Sequence, residues 1–181
     1  MQRYLITDRR LHGGMEGLLG HIARVPCEMI QIREKDLPVR ELSDLVRRAV
    51  AAAPAARVLV NTRADVAMAA GAGGVHLTSA CPSPALFRRI APPGFLIGVS
   101  CHNLAEVHRA EEEGADFAVF GPVYSTGTKQ PVGVAALREV CRRVSLPVYA
   151  LGGVTWERSD ECLEAGAVGV AGITLFSRAV A

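Results

Sequence analysis

The sequence predicts a single α/β domain over residues 1–181, folded as a (β/α)8 barrel (TIM barrel) whose final outer helix is missing or truncated. Eight apolar runs alternate with helical patterns along the chain. One phrase of helix, glycine and strand occurs three times, as AAGAGGVHL at 69–77, EEGADFAVF at 112–120 and EAGAVGVA at 164–171. The chain ends soon after the eighth run, which leaves few residues for a last helix.

The apolar runs give the order of the strands. They begin at roughly residues 3, 29, 57, 74, 95, 117, 147 and 167, and clear helical patterns lie at 37–53 and 104–113. Eight right-handed units of this kind favour the closed barrel. The main rival is a doubly wound sheet, but no Gly-x-Gly-x-x-Gly follows the first strand, so the dinucleotide fingerprint of that fold is missing.

Composition limits the classes of function. The 181-residue chain is 50% hydrophobic and has a formal charge of only +2, which predicts no nucleic-acid partner. No apolar run reaches the length of about 20 residues that a membrane span needs, and the N-terminus becomes charged too early for a signal peptide. Five scattered cysteines without a Cys-x-x-Cys predict a cytoplasmic protein without disulfides or a zinc motif.

Residues 29–35, MIQIREK, give the first indication of a site. Strand alternation places Gln31, Arg33 and Lys35 on one face, while Ile30 and Ile32 face the helices. Burying unpaired cations is costly, and a bound anion removes that cost. The pattern therefore indicates a phosphate or diphosphate site; the alternative is a strand end that runs into a solvated charge cluster.

Polar residues gather where the predicted strands end, and in barrels the site lies at that face. Agreement among independent strands is stronger evidence than any one motif. The residues at these ends are Arg33, Lys35, Asn61, Thr62, His76, Thr78, Ser100, His102, the loop 121–129, Gly152, Gly153 and the turn Gly172, Ile173 and Thr174.

Strands seven and eight indicate a phosphate site most clearly. Gly152 and Gly153 end one strand and Gly172 ends the next, which is where barrels often bind phosphate through backbone N–H groups. The alternative is two tight turns without a ligand. The loop after strand six adds Thr126, Thr128 and Lys129, which predicts a clamp over an anion.

Two histidines fall at the same end of the barrel. His76 lies between two residues that face the helices, so it points into the barrel, where it is either a packing residue or a catalyst. His102 directly follows a strand and is the better candidate for ligand contact.

These segments together resemble the thiamine phosphate synthase and TenI superfamily, over essentially the whole chain. The matching motifs, in order, are LITD (5–8), QIREKD (31–36), VNTRADVA (60–67), GVHL (74–77), IGVSCHN (97–103), GAD (114–116), FGPVYSTGTK (120–129), ALGGV (150–154) and AGAVGVA (165–171). The resemblance implies a (β/α)8 barrel with small phosphorylated pyrimidine and thiazole ligands. The synthases join a hydroxymethylpyrimidine diphosphate to a thiazole phosphate with bridging Mg²⁺ and release diphosphate.

By resemblance, Gln31 meets the pyrimidine, and Arg33, Lys35 and Lys129 meet the diphosphate, whose departing charge fixed cations stabilise. Ser100, Thr126 and Thr128 would line the site. The turns at Gly152, Gly153, Gly172, Ile173 and Thr174 would hold the thiazole phosphate.

The sequence departs from the synthase pattern at the metal. The two positions that carry metal-binding aspartates in the synthases are Thr62 and Cys81 here, and neither is a carboxylate ligand for Mg²⁺. No metal residue is therefore predicted, and Mg²⁺ is expected only if synthase activity is retained. This departure resembles the TenI branch, whose activity is tautomerisation of a thiazole carboxylate phosphate. The TenI proton-transfer histidine, however, falls on Pro122.

Three hypotheses follow for a protein of thiamine biosynthesis. The first is a TenI-like thiazole tautomerase, with His102 as the first candidate base, Cys81 as the second and Lys129 as a catalytic cation. The second is a residual thiamine phosphate synthase, and the third is a non-catalytic binding or regulatory module. A homo-oligomer is also expected, because a short C-terminus would leave Leu175 and Phe176 bare on the outside of the barrel.

Overall fold

Eight strands close into one parallel barrel in the computed structural model, which describes residues 1–127 and 130–177. Every strand pairs with its neighbours in chain order, and β1 pairs with β8. The strands, in order, are β1 (Gln2–Ile6), β2 (Met29–Ile32), β3 (Arg57–Asn61), β4 (Gly74–Leu77), β5 (Leu96–Cys101), β6 (Phe117–Phe120), β7 (Val148–Leu151) and β8 (Gly169–Gly172). The predicted barrel is confirmed, and its strands begin within two residues of the expected positions.

Helices cover the outside of the barrel between successive strands. Within the described residues they are α1 (Met15–Ile22), α2 (Val39–Ala52), α3 (Ala64–Ala69), α4 (Pro84–Arg88), α5 (Leu104–Glu112), α6 (Gly133–Arg143) and α7 (Trp156–Glu164), and 3-10 turns lie at Arg9–His12 and Thr174–Phe176. Gly71, Gly114 and Gly166, the glycines of the repeated phrase, all have positive φ and end their helices as predicted. None of these described helices is long and apolar enough to cross a membrane.

The core has two layers because strand residues alternate between the helices and the barrel interior. Ile30 and Ile32 pack against the helices as predicted. Inside the barrel, Tyr4, Phe117 and Tyr149 pack edge to face and fill the space across the strands. Gly98 accommodates the Phe117 ring, which occupies the space that a side chain there would need. This filled interior leaves the mouth at the strand ends as the place for a ligand.

The prediction that Leu175 and Phe176 lie bare is wrong. Both are buried within the chain, because the 3-10 turn after β8 folds back and places the Phe176 ring edge-on to Trp156 at 5.4 Å. These two side chains therefore give no reason to expect a homo-oligomer. The positions after Ser177 lie outside the described residues.

Strand β2 is shorter than the alternation pattern predicted. It ends at Ile32, so Arg33 and Lys35 lie in the loop that follows rather than on a strand face. They still reach the mouth of the barrel, and the reason is the loop anchor described below.

Candidate functional site

Two adjoining cavities open at the C-terminal ends of the strands. We call the first, of about 350 Å³, the cationic cavity; its lining includes Gln31, Arg33, Lys35, Asn61, His76, Thr78 and Ser100. We call the second, of about 690 Å³, the glycine cavity; its lining includes Gly121, Ser125, Thr126, Gly152, Gly153, Gly172 and Thr174. Three residues, His102, Leu151 and Ile173, line both cavities. Most of the strand-end residues that the sequence singled out thus meet in one two-part mouth; Thr62 is an exception, and positions 128 and 129 lie outside the described residues.

The loop that carries Arg33 and Lys35 is anchored by the residue between them. The Glu34 side chain is only 2% exposed and is paired with Arg9 at 3.0 Å. Its Oε1 accepts hydrogen bonds from the Thr7 hydroxyl at 2.7 Å and from the Arg9 backbone N–H at 3.0 Å. The Thr7 hydroxyl oxygen in turn accepts the Arg33 N–H. Because the carboxylate is fixed inward, the cations on either side of it line the cavity.

Arg9 joins this anchor to the outer part of the same loop. Its guanidinium donates to Glu34 and also to both carboxylate oxygens of Asp36, at 2.7 and 2.8 Å. The hydrogen bonds from Arg9 lower the pKa of Asp36 to about 2. A single guanidinium therefore holds the loop after β2 against the end of β1. Sequence reasoning missed Thr7, Arg9 and Glu34, because only the fold brings these distant segments together.

Thr62 follows β3 in a strained turn. The Arg63 N–H donates to the Asn61 carbonyl at 2.8 Å, which closes a γ-turn, and Thr62 has a φ of 59°. A β-branched residue is rarely found at positive φ. Thr62 lines a neighbouring cavity, together with Lys35 and Arg63, rather than the cationic cavity itself. Asn61 lines both and is nearly buried.

We expect Thr62→Asn to raise the free energy of unfolding by about 1 kcal/mol, because asparagine tolerates a left-handed backbone at lower cost. Thr62→Val is the matched control: it keeps the branched side chain and therefore the strain. Denaturant unfolding of the three proteins measures the difference. An Asn variant no more stable than the wild type would show that the turn stores no strain that a side chain can relieve.

Cys81 lies beside the mouth rather than in it. Its sulfur accepts the Thr78 N–H at 3.4 Å within a local turn, and the thiol lines a separate cavity between the β4 loop and α5. The structure therefore does not bring the second candidate base into either cavity of the mouth. Ser100 and Thr78 lie between Cys81 and the cationic cavity, since they line both spaces.

The residues present do not fit a bound Mg²⁺. Neither the Thr62 hydroxyl nor the Cys81 thiol is a carboxylate ligand of the kind that this hard cation prefers. Across residues 1–127 and 130–177, no group of three or more His, Cys, Asp or Glu side chains could hold a metal ion. Glu34, the buried carboxylate of the loop after β2, is already committed to Thr7 and Arg9.

His76 is a buried member of a hydrogen-bond chain across the barrel. Its Nδ1 lies 3.1 Å from the Tyr4 hydroxyl and its Nε2 lies 2.8 Å from the Ser100 hydroxyl. Burial, with a smaller contribution from Arg33, lowers the pKa of His76 to about 3, so the ring is neutral at physiological pH. His76 is therefore not a free base. Its ring also does more than fill space, because it connects Tyr4 to Ser100 by hydrogen bonds. Its partner is Tyr4, which sequence reasoning missed.

His102 directly follows β5 and has one ring nitrogen committed. Its Nδ1–H donates to the Gly121 carbonyl at 2.6 Å, so in the neutral ring Nε2 is the acceptor. The ring is exposed in the wall that both cavities share. A neutral imidazole held in this tautomer is able to accept a proton from a ligand that spans the two cavities.

The glycine cavity is shaped by close backbone packing. Gly152 and Gly153 have φ values of 92° and 63°, and a side chain on Gly152 would collide with Pro122. A side chain on Gly153 would lie 2.6 Å from the Ser125 carbonyl oxygen. Within the described residues, no hydrogen bond satisfies the backbone N–H of Gly153 or Ile173. Such free donors suit a phosphate oxygen.

Charge at the edge of the glycine cavity gives a direct test of phosphate binding. Thr174 lines the cavity and is exposed, so a longer side chain fits there without repacking. We expect Thr174→Glu to weaken inorganic phosphate binding at least tenfold, about 1.4 kcal/mol, through like-charge repulsion. The neutral Thr174→Gln should bind nearly as the wild type does. Equal affinities of the two variants in calorimetry would place the phosphate elsewhere.

The remaining predicted residues are placed only in part. Thr126 lines the glycine cavity. Thr128 and Lys129, the predicted clamp and catalytic cation, lie outside the described residues. Their roles stay predictions.

Comparisons with known proteins identify the family of this chain. The family model described as thiamine monophosphate synthase matches residues 3–176. A protein of Aquifex aeolicus named "Putative thiamine-phosphate synthase 2" is 42% identical, with 96% of each chain covered. The thiamine-phosphate synthase of Methanoculleus marisnigri is 40% identical, over 94% of this chain and 85% of that protein. The solved structure of a thiamine phosphate pyrophosphorylase from Pyrococcus furiosus superposes with a TM-score of 0.88 at 31% identity, covering 98% of this chain and 88% of that one.

Proposed function

The chain belongs to the thiamine monophosphate synthase family of thiamine biosynthesis, and from that premise we propose that it binds a phosphorylated thiazole and moves a proton on it. The phosphate occupies the glycine cavity, and the thiazole ring lies against the shared wall. A carboxylate on the ring is directed toward Arg33 and Lys35. A ligand with an anionic group at each end matches a mouth that has free N–H donors in one cavity and cations in the other.

The observation that carries this proposal is the position of His102. Its Nε2 is the acceptor of a ring fixed by the Gly121 carbonyl, in the wall that both cavities share. Tautomerisation needs one group that takes a proton from the ring and returns it to another atom of the same molecule. No metal is required for this step, which agrees with Thr62 and Cys81 at the two metal positions.

Thiamine phosphate synthesis is the second candidate. Gln31, Arg33 and Lys35 all line the cationic cavity, as a site for a pyrimidine diphosphate would need, and relatives are named for this activity. Departure of diphosphate builds negative charge, which the two cations and Lys129 would have to stabilise without the usual carboxylate-bound metal.

One set of assays separates these functions. Purified protein is incubated with the thiazole carboxylate phosphate tautomer, or with hydroxymethylpyrimidine diphosphate and thiazole phosphate, each in Mg²⁺ and in chelator. We expect tautomerisation that is unchanged by chelator. Thiamine phosphate formed only in Mg²⁺ would establish the synthase instead. Binding of thiazole phosphate without turnover of either set would leave a non-catalytic binding module.

A further inference from the structure

Four polar side chains form an unbroken chain of hydrogen bonds through the barrel interior. Gln31 Nε2 donates to the Tyr4 hydroxyl at 3.3 Å, this hydroxyl meets His76 Nδ1 at 3.1 Å, and His76 Nε2 meets the Ser100 hydroxyl at 2.8 Å. Tyr4, Gln31 and His76 are 0–2% exposed. Gln31, His76 and Ser100 line the cationic cavity, and Tyr4 does not.

Counting protons along the chain fixes its direction. Burial raises the pKa of Tyr4 above its usual range, so the phenol keeps its one proton. The phenol oxygen accepts from Gln31, and His76 Nδ1 is its other hydrogen-bond partner among the described residues, so the phenol donates its own proton to that nitrogen. The neutral ring of His76 then carries its own proton on Nε2 and donates it to Ser100. The Ser100 proton is left for a ligand.

The other end of the chain has the opposite character. Gln31 uses its amide N–H toward Tyr4, so its Oε1 remains as an acceptor. No group among residues 1–127 and 130–177 donates to that oxygen, and it is not an orphaned buried atom. The cavity thus has an acceptor at Gln31 and a donor at Ser100, and the same chain connects them.

We propose that Tyr4 and His76 are positioning residues that couple the hydrogen-bonding polarity of Gln31 to that of Ser100. Each group in the chain has a fixed number of protons, so the chain has two self-consistent directions. In the direction described above, Gln31 accepts from a ligand and Ser100 donates to it. A ligand of reversed polarity is favoured only when every bond between these two residues reverses. The preferred ligand carries an N–H or O–H donor near Gln31 and an anionic oxygen near Ser100.

The proposal rests on the proposed function only in taking this mouth as the ligand site, and it is testable without ligand or turnover. Heteronuclear NMR at pH 8 distinguishes protonated from unprotonated imidazole nitrogens, and a His76→Gln spectrum identifies the His76 signals. We expect the wild type to carry the proton on Nε2. In Gln31→Glu, the carboxylate only accepts, so the Tyr4 hydroxyl donates its hydrogen bond to the carboxylate instead of to His76. We then expect the His76 proton to move to Nδ1.

Gln31→Met is the matched control, because it has similar length and no hydrogen bonds; Tyr4 still donates to His76, and the proton should stay on Nε2. A His76 that keeps its Nε2 proton in the folded Glu variant would overturn the coupling. Reversal in the Met variant as well would also overturn it. Should the Glu variant not fold, the wild type alone decides, since a proton on Nδ1 there contradicts the proposed direction. Failed turnover in the assays above leaves these results unaffected.

Discussion

Replacing His102 with asparagine should slow tautomerisation of the thiazole carboxylate phosphate by roughly 100-fold or more, the scale of a lost general base. The amide N–H of asparagine is able to replace the Nδ1–H that donates to the Gly121 carbonyl, so the wall between the cavities keeps its support. What disappears is the unprotonated Nε2. The loss should therefore fall on kcat, with KM changed little, because neither the free N–H donors nor the two cations are altered.

His108→Asn is the control for this experiment. His108 is a partly exposed histidine on α5, 3.9 Å from Glu111, and it lines neither cavity of the mouth. Its replacement should leave turnover at the wild-type level. Single-turnover rates for the two variants give the comparison directly. Wild-type turnover by the His102 variant would reject the assignment of the base.

Replacing Glu34 with glutamine should lower the free energy of unfolding by about 2–3 kcal/mol, since a buried acceptor of three hydrogen bonds loses its charge and faces the Arg9 guanidinium with an N–H₂. For a domain of this size, that corresponds to a fall in Tm of roughly 4–12 °C. The affinity for inorganic diphosphate should fall as well, because the loop that presents Arg33 and Lys35 loses its anchor.

Asp36→Asn is the control, because it removes the second carboxylate that pairs with Arg9 and leaves Glu34 in place. Asp36 is the exposed partner of the same guanidinium, with a side chain that is 64% exposed. Its replacement should shift Tm far less than the Glu34 variant does and leave diphosphate binding intact. Thermal unfolding and calorimetry on both variants provide the test. Equal effects of the two changes would mean that Glu34 acts only as a surface charge.

The barrel itself could be predicted closely from the sequence because its signals are local. Each apolar run is short, α3, α5 and α7 end at glycines with positive φ, and the three repeated phrases mark the same joint. The inward direction of Gln31 and His76 also follows from alternation alone. Local rules therefore predicted which residues surround the mouth.

Contacts between distant segments could not be predicted in the same way. In the sequence, Arg9 and Glu34 are two charged residues that nothing connects. They meet only because β1 pairs with β2 in the folded barrel. Tyr4 looks like any apolar strand residue until His76 is placed across from it. Cys81 is expected, by resemblance, to take the place of a metal ligand, yet its thiol forms a turn with Thr78 and lies outside the mouth. Leu175 and Phe176 fold back onto the chain for a similar reason, because a single 3-10 turn decides their direction.

The wall between the two cavities also determines how a tight-binding inhibitor would have to be built. His102, Leu151 and Ile173 face both sides of it, so a fragment in one cavity leaves the other open. Two fragments that each bind with a Kd of about 1 mM would approach about 1 μM when joined without strain, since their free energies of roughly −4.1 kcal/mol add. The linker supplies the second fragment at a high effective concentration, and it gains nothing if it cannot pass the three side chains of the wall. The span across that wall is therefore the dimension to which a bivalent ligand should be fitted.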